Sequence, residues 1–358
     1  MPATFQLPAE TTRRLDGLVD QIESRPGEFV DAKEFAERQS ELDIKSLVAN
    51  LPPGLTEGDL VGILKLAFLT ECATQSYADA IDASALACEA PWLARFTDRV
   101  WTPDELTHHT PYKYMLMSLG FTEAELDKEV RETREKPYEH RGGPTPVHVT
   151  TFGMIQEYLT DNWHGLIGRL VRPVSPLAAY ASNLVKKRET LHTIWYRDMT
   201  ALQVEADPRF ATCLGEELAN FRMPGNSLVP EFQVQAQNWL PPLGADFSRI
   251  VKDVLRLLHE TLGSTRLTGE MIIAFAATKG IALGPFSARQ LRGAIDRLGG
   301  SGYGLLGEAV LEKAGLGYLF AAEASAAGRS RGTAVYLRLR GVMRSWISEQ
   351  MVLRAESL

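Results

Sequence analysis

Apolar and polar positions follow a helical period along most of this chain. From about residue 56 to residue 270, apolar residues recur at spacings of three and four, which places them on one face of a helix. Proline- and glycine-rich breaks separate these segments at 51–54, 141–146, 172–176 and 239–244. Strand patterns are scarce between the breaks. We therefore predict an all-α helical bundle.

The same pattern divides the chain into three parts. Residues 1–50 are predicted to form an N-terminal helical extension, residues 51–270 the bundle, and residues 271–358 a mostly helical C-terminal extension without an assigned role. In the last part, the glycine-rich stretch 299–304 suits either a set of turns or a phosphate-binding loop, although it lacks the GxxxxGK(S/T) pattern. The arginines that follow form either a solvated face or a docking face for an acidic partner: Arg329, Arg331, Arg338, Arg340 and Arg344.

Composition narrows the class of protein. The net charge of −7 over 358 residues argues against a nucleic-acid binder, because that class has a basic excess. The three cysteines, Cys72, Cys88 and Cys213, form no CxxC pair, which favours a reducing compartment and excludes a thiolate metal cage. There is no signal-peptide pattern and no apolar run long enough to cross a bilayer. We expect a cytoplasmic protein without a membrane span.

Two Glu-x-x-His pairs stand out within the apolar helical segments. Glu105 precedes His108, and Glu189 precedes His192, at a spacing of three. This spacing places both side chains of a pair on one helix face, where they can reach the same ion. His109 points about 100° away from His108 on a helix, so we expect it at the surface or behind the ligands.

A lone glutamate precedes each pair at almost the same distance along the chain. The interval from Glu71 to Glu105 nearly equals the interval from Glu157 to Glu189, and both leading glutamates lie in apolar helical settings. About 15 residues along one helix, a short connection and a similar run back return the chain to the same height. Four helices would then bring four Glu and two His together, the ligand set of carboxylate-bridged di-iron and di-manganese bundles.

Three segments resemble the ligand helices of the soluble acyl-carrier-protein desaturases, which are ferritin-like di-iron enzymes. They are "WTPDELTHH" from Trp101, "FGMIQEYLTDNWHG" around Glu157 and "RETLHTIWYRDM" around Glu189. The resemblance extends over roughly residues 50–270. It implies a ferritin-like bundle with two iron ions, manganese being the alternative, and a catalytic Thr160 beside the oxygen site, with Trp101 nearby. The implied metal ligands are Glu71, Glu105, His108, Glu157, Glu189 and His192.

The resemblance also implies an activity and partners. The activity is O₂-dependent desaturation of an acyl chain bound to an acyl carrier protein, with electrons from a ferredoxin-type reductant, in a homodimer. Two alternatives stay open. One is another ferritin-like di-iron oxygenase of specialised metabolism, such as a hydroxylase or N-oxygenase. The other is a non-catalytic protein that stores metal.

One position departs from the family pattern. The residue immediately before the second ligand Glu is usually acidic and hydrogen-bonds a ligand His, but here it is Arg188. Asp104 and Asp161 are the carboxylates that could replace it. Several cations near the last two ligand helices form either ordinary helix surface or a docking patch for the acidic carrier: Arg169, Arg172, Lys186, Lys187 and Arg188.

Overall fold

All regular structure that we describe in this protein is helical. The computed structural model describes residues 5–278, apart from positions 26, 139, 141, 224–238, 240 and 246. These ranges contain helices and no strand, so the predicted all-α bundle is confirmed. None of the described helices is both long and apolar enough to cross a bilayer. The glycine-rich and arginine-rich parts of the predicted C-terminal extension lie outside the described residues.

The α-helices are numbered here in chain order. They are α1 (Ala9–Ser24), α2 (Ala32–Glu37), α3 (Glu57–Cys72), α4 (Thr74–Ala87), α5 (Pro91–Phe96), α6 (Thr102–His108), α7 (Thr110–Ser118), α8 (Glu123–Arg134), α9 (Pro146–Val171), α10 (Pro176–Ala206), α11 (Ala211–Asn220), α12 (Phe247–Leu262) and α13 (Thr265–Thr278). Short 3₁₀ helices lie at Gln39–Leu42, Lys45–Asn50 and Pro208–Phe210.

The first Glu-to-Glu interval folds as a helical hairpin assembled from short pieces. Only Ala73 separates α3 from α4, and the chain turns back at 88–90, where Glu89 takes a positive φ of 52°. The return run passes through α5, a π-helical turn at Thr97–Trp101, α6 and α7, and the junction residues Thr97, Thr102 and His109 keep right-handed helical dihedrals. The predicted out-and-back geometry therefore holds, although Ala73 and the π turn interrupt regular α-helix. Such π turns occur frequently at functional sites.

The second interval is a simpler hairpin of two long helices. The turn at 172–175 joins α9 to α10, and Ser175 caps α10 by accepting a hydrogen bond from the backbone N–H of Ala178. Gly153 permits close packing here, because a Cβ at that position would lie 2.7 Å from the ring of Tyr196. The hairpin forms the most extensive helix pair among the described residues.

The terminal helices pack onto this framework. Helix α1 buries Leu15, Val19 and Ile22 and contacts α5 and α10. Helix α11 packs tightly on α13, since a Cβ at Gly215 would lie 2.1 Å from the backbone carbonyl oxygen of Met271. The predicted boundary between the bundle and the C-terminal extension, at residue 270, falls inside α13.

Candidate metal centre

The six sequence-predicted ligands lie together in the interior of the bundle. They come from the end of α3, from α6 and from the middle of α9 and α10, and each side chain is at most 6% exposed. Their helices are held by apolar packing, so the polar groups meet in a region with little access to water. They are Glu71, Glu105, His108, Glu157, Glu189 and His192.

These residues form two overlapping groups that could each hold a metal ion. Glu71 and His108 belong to one group, Glu157 and His192 belong to the other, and both groups include Glu105 and Glu189. Within each group, one potential ligand atom per residue lies within 4.8 Å of the others. The two Glu-x-x-His glutamates are therefore the shared members.

The imidazoles are oriented in the same way in both groups. His108 Nδ1 lies 2.9 Å from Glu189 Oε1 and 3.3 Å from Glu105 Oε2. His192 Nδ1 lies 2.7 Å from Glu105 Oε1. The two rings are nearly parallel, with an angle of 15° and centroids 5.7 Å apart. Each histidine thus directs Nδ1 toward the carboxylates and leaves Nε2 on the outer side.

Crowding of like charges perturbs the protonation of these groups. Burial and the neighbouring Glu105 raise the pKa of Glu157 to about 7, and the same causes raise the pKa of Glu189 well above its usual range. Burial alone would lower the pKa of His192, but close contact with Asp104 and Glu105 raises it to about 9. The metal-free site therefore retains protons near neutral pH, and a divalent cation would displace them.

Two buried atoms in the site make no hydrogen bond within the described part of the chain. They are Glu105 Oε1 and His192 Nδ1, which lie 2.7 Å apart without the alignment of a hydrogen bond. Buried polar atoms are nearly always paired, because an unpaired one costs about 1–3 kcal/mol. A cation between them would use both lone pairs, so the residues fit a metal ion. The mixture of carboxylate and imidazole suits iron, manganese or another first-row metal.

Asp104 connects the outer sides of both imidazoles. Its Oδ2 accepts a hydrogen bond from His192 Nε2 at 2.8 Å, and its Oδ1 lies 3.4 Å from His108 Nε2. The side chain is fully buried. Hydrogen bonds from both histidines overcome the effect of burial and hold the pKa of Asp104 well below its usual range. This carboxylate therefore fixes the orientation and raises the basicity of both rings.

Arg188 lies behind Asp104. Its Nε donates to Asp104 Oδ2 at 2.6 Å, and its guanidinium lies 4.9 Å from the ring of Phe29 and 5.5 Å from that of Trp195. Only 1% of its surface is exposed. Arg188 is therefore neither an ordinary surface cation nor part of a docking patch, the two alternatives that the sequence left open for it. Of the two carboxylates expected to serve the histidines, Asp104 does so, whereas Asp161 pairs with Lys186.

Trp101 and Thr160 also contact the predicted ligands. The indole Nε1 of Trp101 donates to Glu157 Oε1 at 3.0 Å. The hydroxyl of Thr160 lies 3.3 Å from Glu189 Oε2 and 3.1 Å from the backbone oxygen of Glu157. Thr160 is therefore a neutral protic group that reaches a shared carboxylate.

A second polar pair, His164 and Tyr112, was not among the predicted site residues. His164 Nε2 donates to Glu71 Oε1 at 3.0 Å, which leaves Nδ1 to accept from the Tyr112 hydroxyl at 2.5 Å. Hydrogen bonds from His108 and His164 outweigh the effect of burial and lower the pKa of Glu71. A sequence signal existed for His164, because it stands two helical turns after Glu157 and so lies on the same face of α9.

His109 belongs to neither group. It is half-buried and its ring packs near Phe68, with centroids 6.0 Å apart. Burial lowers its pKa to about 4, so it is neutral at physiological pH. The prediction that His108 and not His109 faces the carboxylates is consistent with this geometry.

Comparison with known proteins does not name a family for this chain. No protein-family model matches it, and no curated protein matches it. The buried groups of Glu and His that could hold a metal ion are therefore the feature from which its function is inferred.

Proposed function

We propose that this protein is an O₂-dependent acyl-carrier-protein desaturase with a carboxylate-bridged di-iron centre. The observation that supports this most directly is the sharing of Glu105 and Glu189 between two groups that each have a histidine and a further glutamate. Four carboxylates would carry the charge that balances two divalent cations, and the two shared carboxylates could serve both ions. The resemblance of the three ligand segments to the desaturases supports the same proposal.

The proposed ligands divide into two sets, one for each iron. Glu71 and His108 would hold one iron, Glu157 and His192 the other, and the shared glutamates would bridge them. When bound, the two irons supply the O₂-dependent oxidising power that removes hydrogen from an unactivated methylene group. Asp104 aligns both imidazoles, and the pair of His164 and Tyr112 aligns Glu71.

Thr160 would move a proton in this proposal. Its hydroxyl can donate to Glu189 Oε2 at 3.3 Å, and it also contacts the backbone oxygens of Gln156 and Glu157. Thr160 is 5% exposed, so its proton does not exchange freely with bulk water. A hydroxyl held in this way can donate its proton toward Glu189, and that carboxylate, when protonated, can return one to it, whereas the two backbone oxygens only orient the hydroxyl. We expect Thr160→Val to lower turnover without metal loss, and Thr160→Ser to restore it.

The reaction is tested by product analysis with the full-length protein. Fe²⁺, a ferredoxin with its reductase, and acyl carrier proteins bearing chains of several lengths would be combined under air. Mass spectrometry of the released acyl groups should show a product that has lost two hydrogen atoms. Absence of a new double bond from every chain, with iron bound and reductant oxidised, would exclude the desaturase.

Adjacent histidines provide a matched pair of variants for this test. His108→Ala removes a proposed ligand, whereas His109→Ala removes an imidazole that belongs to neither group. We expect His108→Ala to lose iron and product formation together. His109→Ala should retain both, and loss of both in this control would mean that the wrong ring has been assigned.

A second function is favoured by one observation. Arg188 lies where the desaturase family has an acidic residue, and among the described residues Asp104 is the carboxylate that contacts the outer nitrogens of both imidazoles. Altered basicity of the ligands would suit a hydroxylase or N-oxygenase on the same scaffold. Under ¹⁸O₂, an oxygenase transfers labelled oxygen to the product, whereas a desaturase transfers none.

The proposed partners follow from the proposed activity. They are an acyl carrier protein, a ferredoxin-type reductant and a second copy of the chain in a cytoplasmic homodimer. Three of the cations that could form a docking patch are exposed, namely Arg169, Arg172 and Lys187. Reversing the charge of Arg169 and Lys187 should lower kcat/KM for the carrier-bound substrate and weaken its dependence on salt.

A further inference from the structure

A second cluster of metal-ligating side chains lies outside the carboxylate centre. It joins the first turn of α9 to α11 and consists of His148, Cys213 and Glu216. One ligand atom from each residue lies within 4.8 Å of the other two, and His148 Nε2 lies 3.2 Å from Glu216 Oε2. Cys213 and Glu216 stand three apart on α11, so both project toward the same imidazole.

A hydrogen bond on the side of the ring away from the cluster orients His148. His148 Nδ1 forms a hydrogen bond with the hydroxyl of Thr145 at 2.7 Å, which leaves Nε2 facing the thiol and the carboxylate. The ring is 5% exposed. In metal-ligating histidines the outer ring N–H usually donates a hydrogen bond to an oxygen, which fixes the tautomer and the ring orientation.

Two glycines that precede α9, Gly142 and Gly143, let the backbone approach this cluster closely. A Cβ at Gly143 would lie 2.3 Å from the imidazole of His148, and a Cβ at Gly142 would lie 1.6 Å from the carboxylate of Glu217. Glu217 is fully buried next to Glu216, and its Oε2 makes no hydrogen bond within the described part of the chain. Its Oε1 lies 3.2 Å from His140 Nε2. The loop backbone thus packs directly against the imidazole and the neighbouring carboxylate and holds both in place.

We propose that His148, Cys213 and Glu216 bind a borderline divalent cation of the zinc class. A thiolate and a carboxylate supply two negative charges, so a divalent ion with a neutral imidazole makes the half-buried site electrically neutral. Three protein ligands leave a fourth position of a tetrahedral ion for water or a small anion. The bound ion would also fasten α11 to the start of α9. This proposal does not depend on the desaturase activity.

Cobalt titration of the full-length protein tests the site. Co²⁺ bound to a thiolate gives a near-ultraviolet charge-transfer absorption, and the carboxylate centre has no cysteine among its ligands, so that absorption reports this cluster alone. We expect the band in the wild type and in Cys88→Ser, and its loss in Cys213→Ser. Zn²⁺ should displace the cobalt and abolish the band.

A further variant separates loss of ligand from loss of fold. Glu216 has a side chain that is 48% exposed and its contact with His148 is screened by water, so Glu216→Gln should lower the metal-free melting temperature only slightly. It should weaken zinc binding at least about tenfold. A band that persists in Cys213→Ser, or no band at saturating Co²⁺ in the wild type, would overturn the proposal and leave only an ion pair beside a thiol.

Discussion

Replacing Asp104 by Asn tests whether a buried ion pair supports the candidate centre. The carboxylate is fully buried, as is Arg188 at 1% exposed, and Arg188 Nε donates to it at 2.6 Å. The amide keeps the shape but removes the charge opposite a buried guanidinium and opposite His192. Breaking a buried pair in this way costs about 3–5 kcal/mol, because one charge stays in a medium that solvates it poorly.

The measurement is urea unfolding of the metal-free protein, followed by far-ultraviolet circular dichroism. Glu205→Gln is the matched control. Glu205 accepts two hydrogen bonds from an arginine, Arg14, both at 2.8 Å, but that pair is exposed to solvent. Water screens exposed pairs, so the control should leave the unfolding curve nearly unchanged. Equal small effects of both variants would refute the assignment of Asp104 as a buried counter-ion.

The same variant has a second readout in metal binding. Asp104 orients both histidines through their outer nitrogens, so its loss should weaken iron binding about 10- to 100-fold. Direct titration with Fe²⁺ under anaerobic conditions would measure this. An unchanged affinity together with a large loss of stability would restrict Asp104 to a structural role.

Three further predictions follow from the geometry. In the folded metal-free chain the pKa of Glu157 is raised to about 7 and the pKa of His192 to about 9. The protonated groups therefore contribute their full stability to the fold when the pH is below their unfolded-state pKa values, and this contribution is lost as the pH rises through the folded-state pKa values. The Tm of the metal-free protein should therefore fall as the pH rises from about 6 to about 9, and a Tm that increases would contradict this. Metal binding displaces the same protons, so the metal affinity should rise over the same pH range. Trp101→Phe keeps an aromatic ring, although a smaller one, and removes the donor to Glu157. Titration should show about tenfold weaker iron binding with the helix content unchanged. Urea unfolding should show that Gly215→Ala destabilises the fold by about 1–3 kcal/mol, because the added Cβ would clash with a backbone carbonyl of α13. The control is Gly17→Ala, whose Cβ would have no atom within 4 Å and should stabilise α1 slightly.

That the six predicted residues lie together could be predicted from the sequence for a local reason. Residues three apart on a helix must share a face, and each of the two nearly equal Glu-to-Glu intervals contains one helical hairpin. Helix geometry converts these spacings into positions without knowledge of the rest of the fold. The placement of Glu105 and His108 on one side of α6, and of Glu189 and His192 on one side of α10, follows from spacing alone.

The contacts behind those residues depended on tertiary structure. Asp104 and Arg188 are 84 positions apart, and His164 and Glu71 are 93 apart. Whether such pairs meet depends on how far each helix is rotated and shifted against its neighbours. That rotation results from many small packing contacts, such as Gly153 against Tyr196, which no short motif encodes.

Positions of residues on one helix could therefore be predicted from the sequence, whereas contacts between residues of different helices could not. The sequence determined the helical class, the six acidic and imidazole residues and their common level, because each depends on the fixed rise and period of a helix. Only the tertiary structure decided that Arg188 is buried against Asp104 and that Cys213 faces His148. Those pairs are set by the packing between helices, where burial selects partners that lie far apart in the chain.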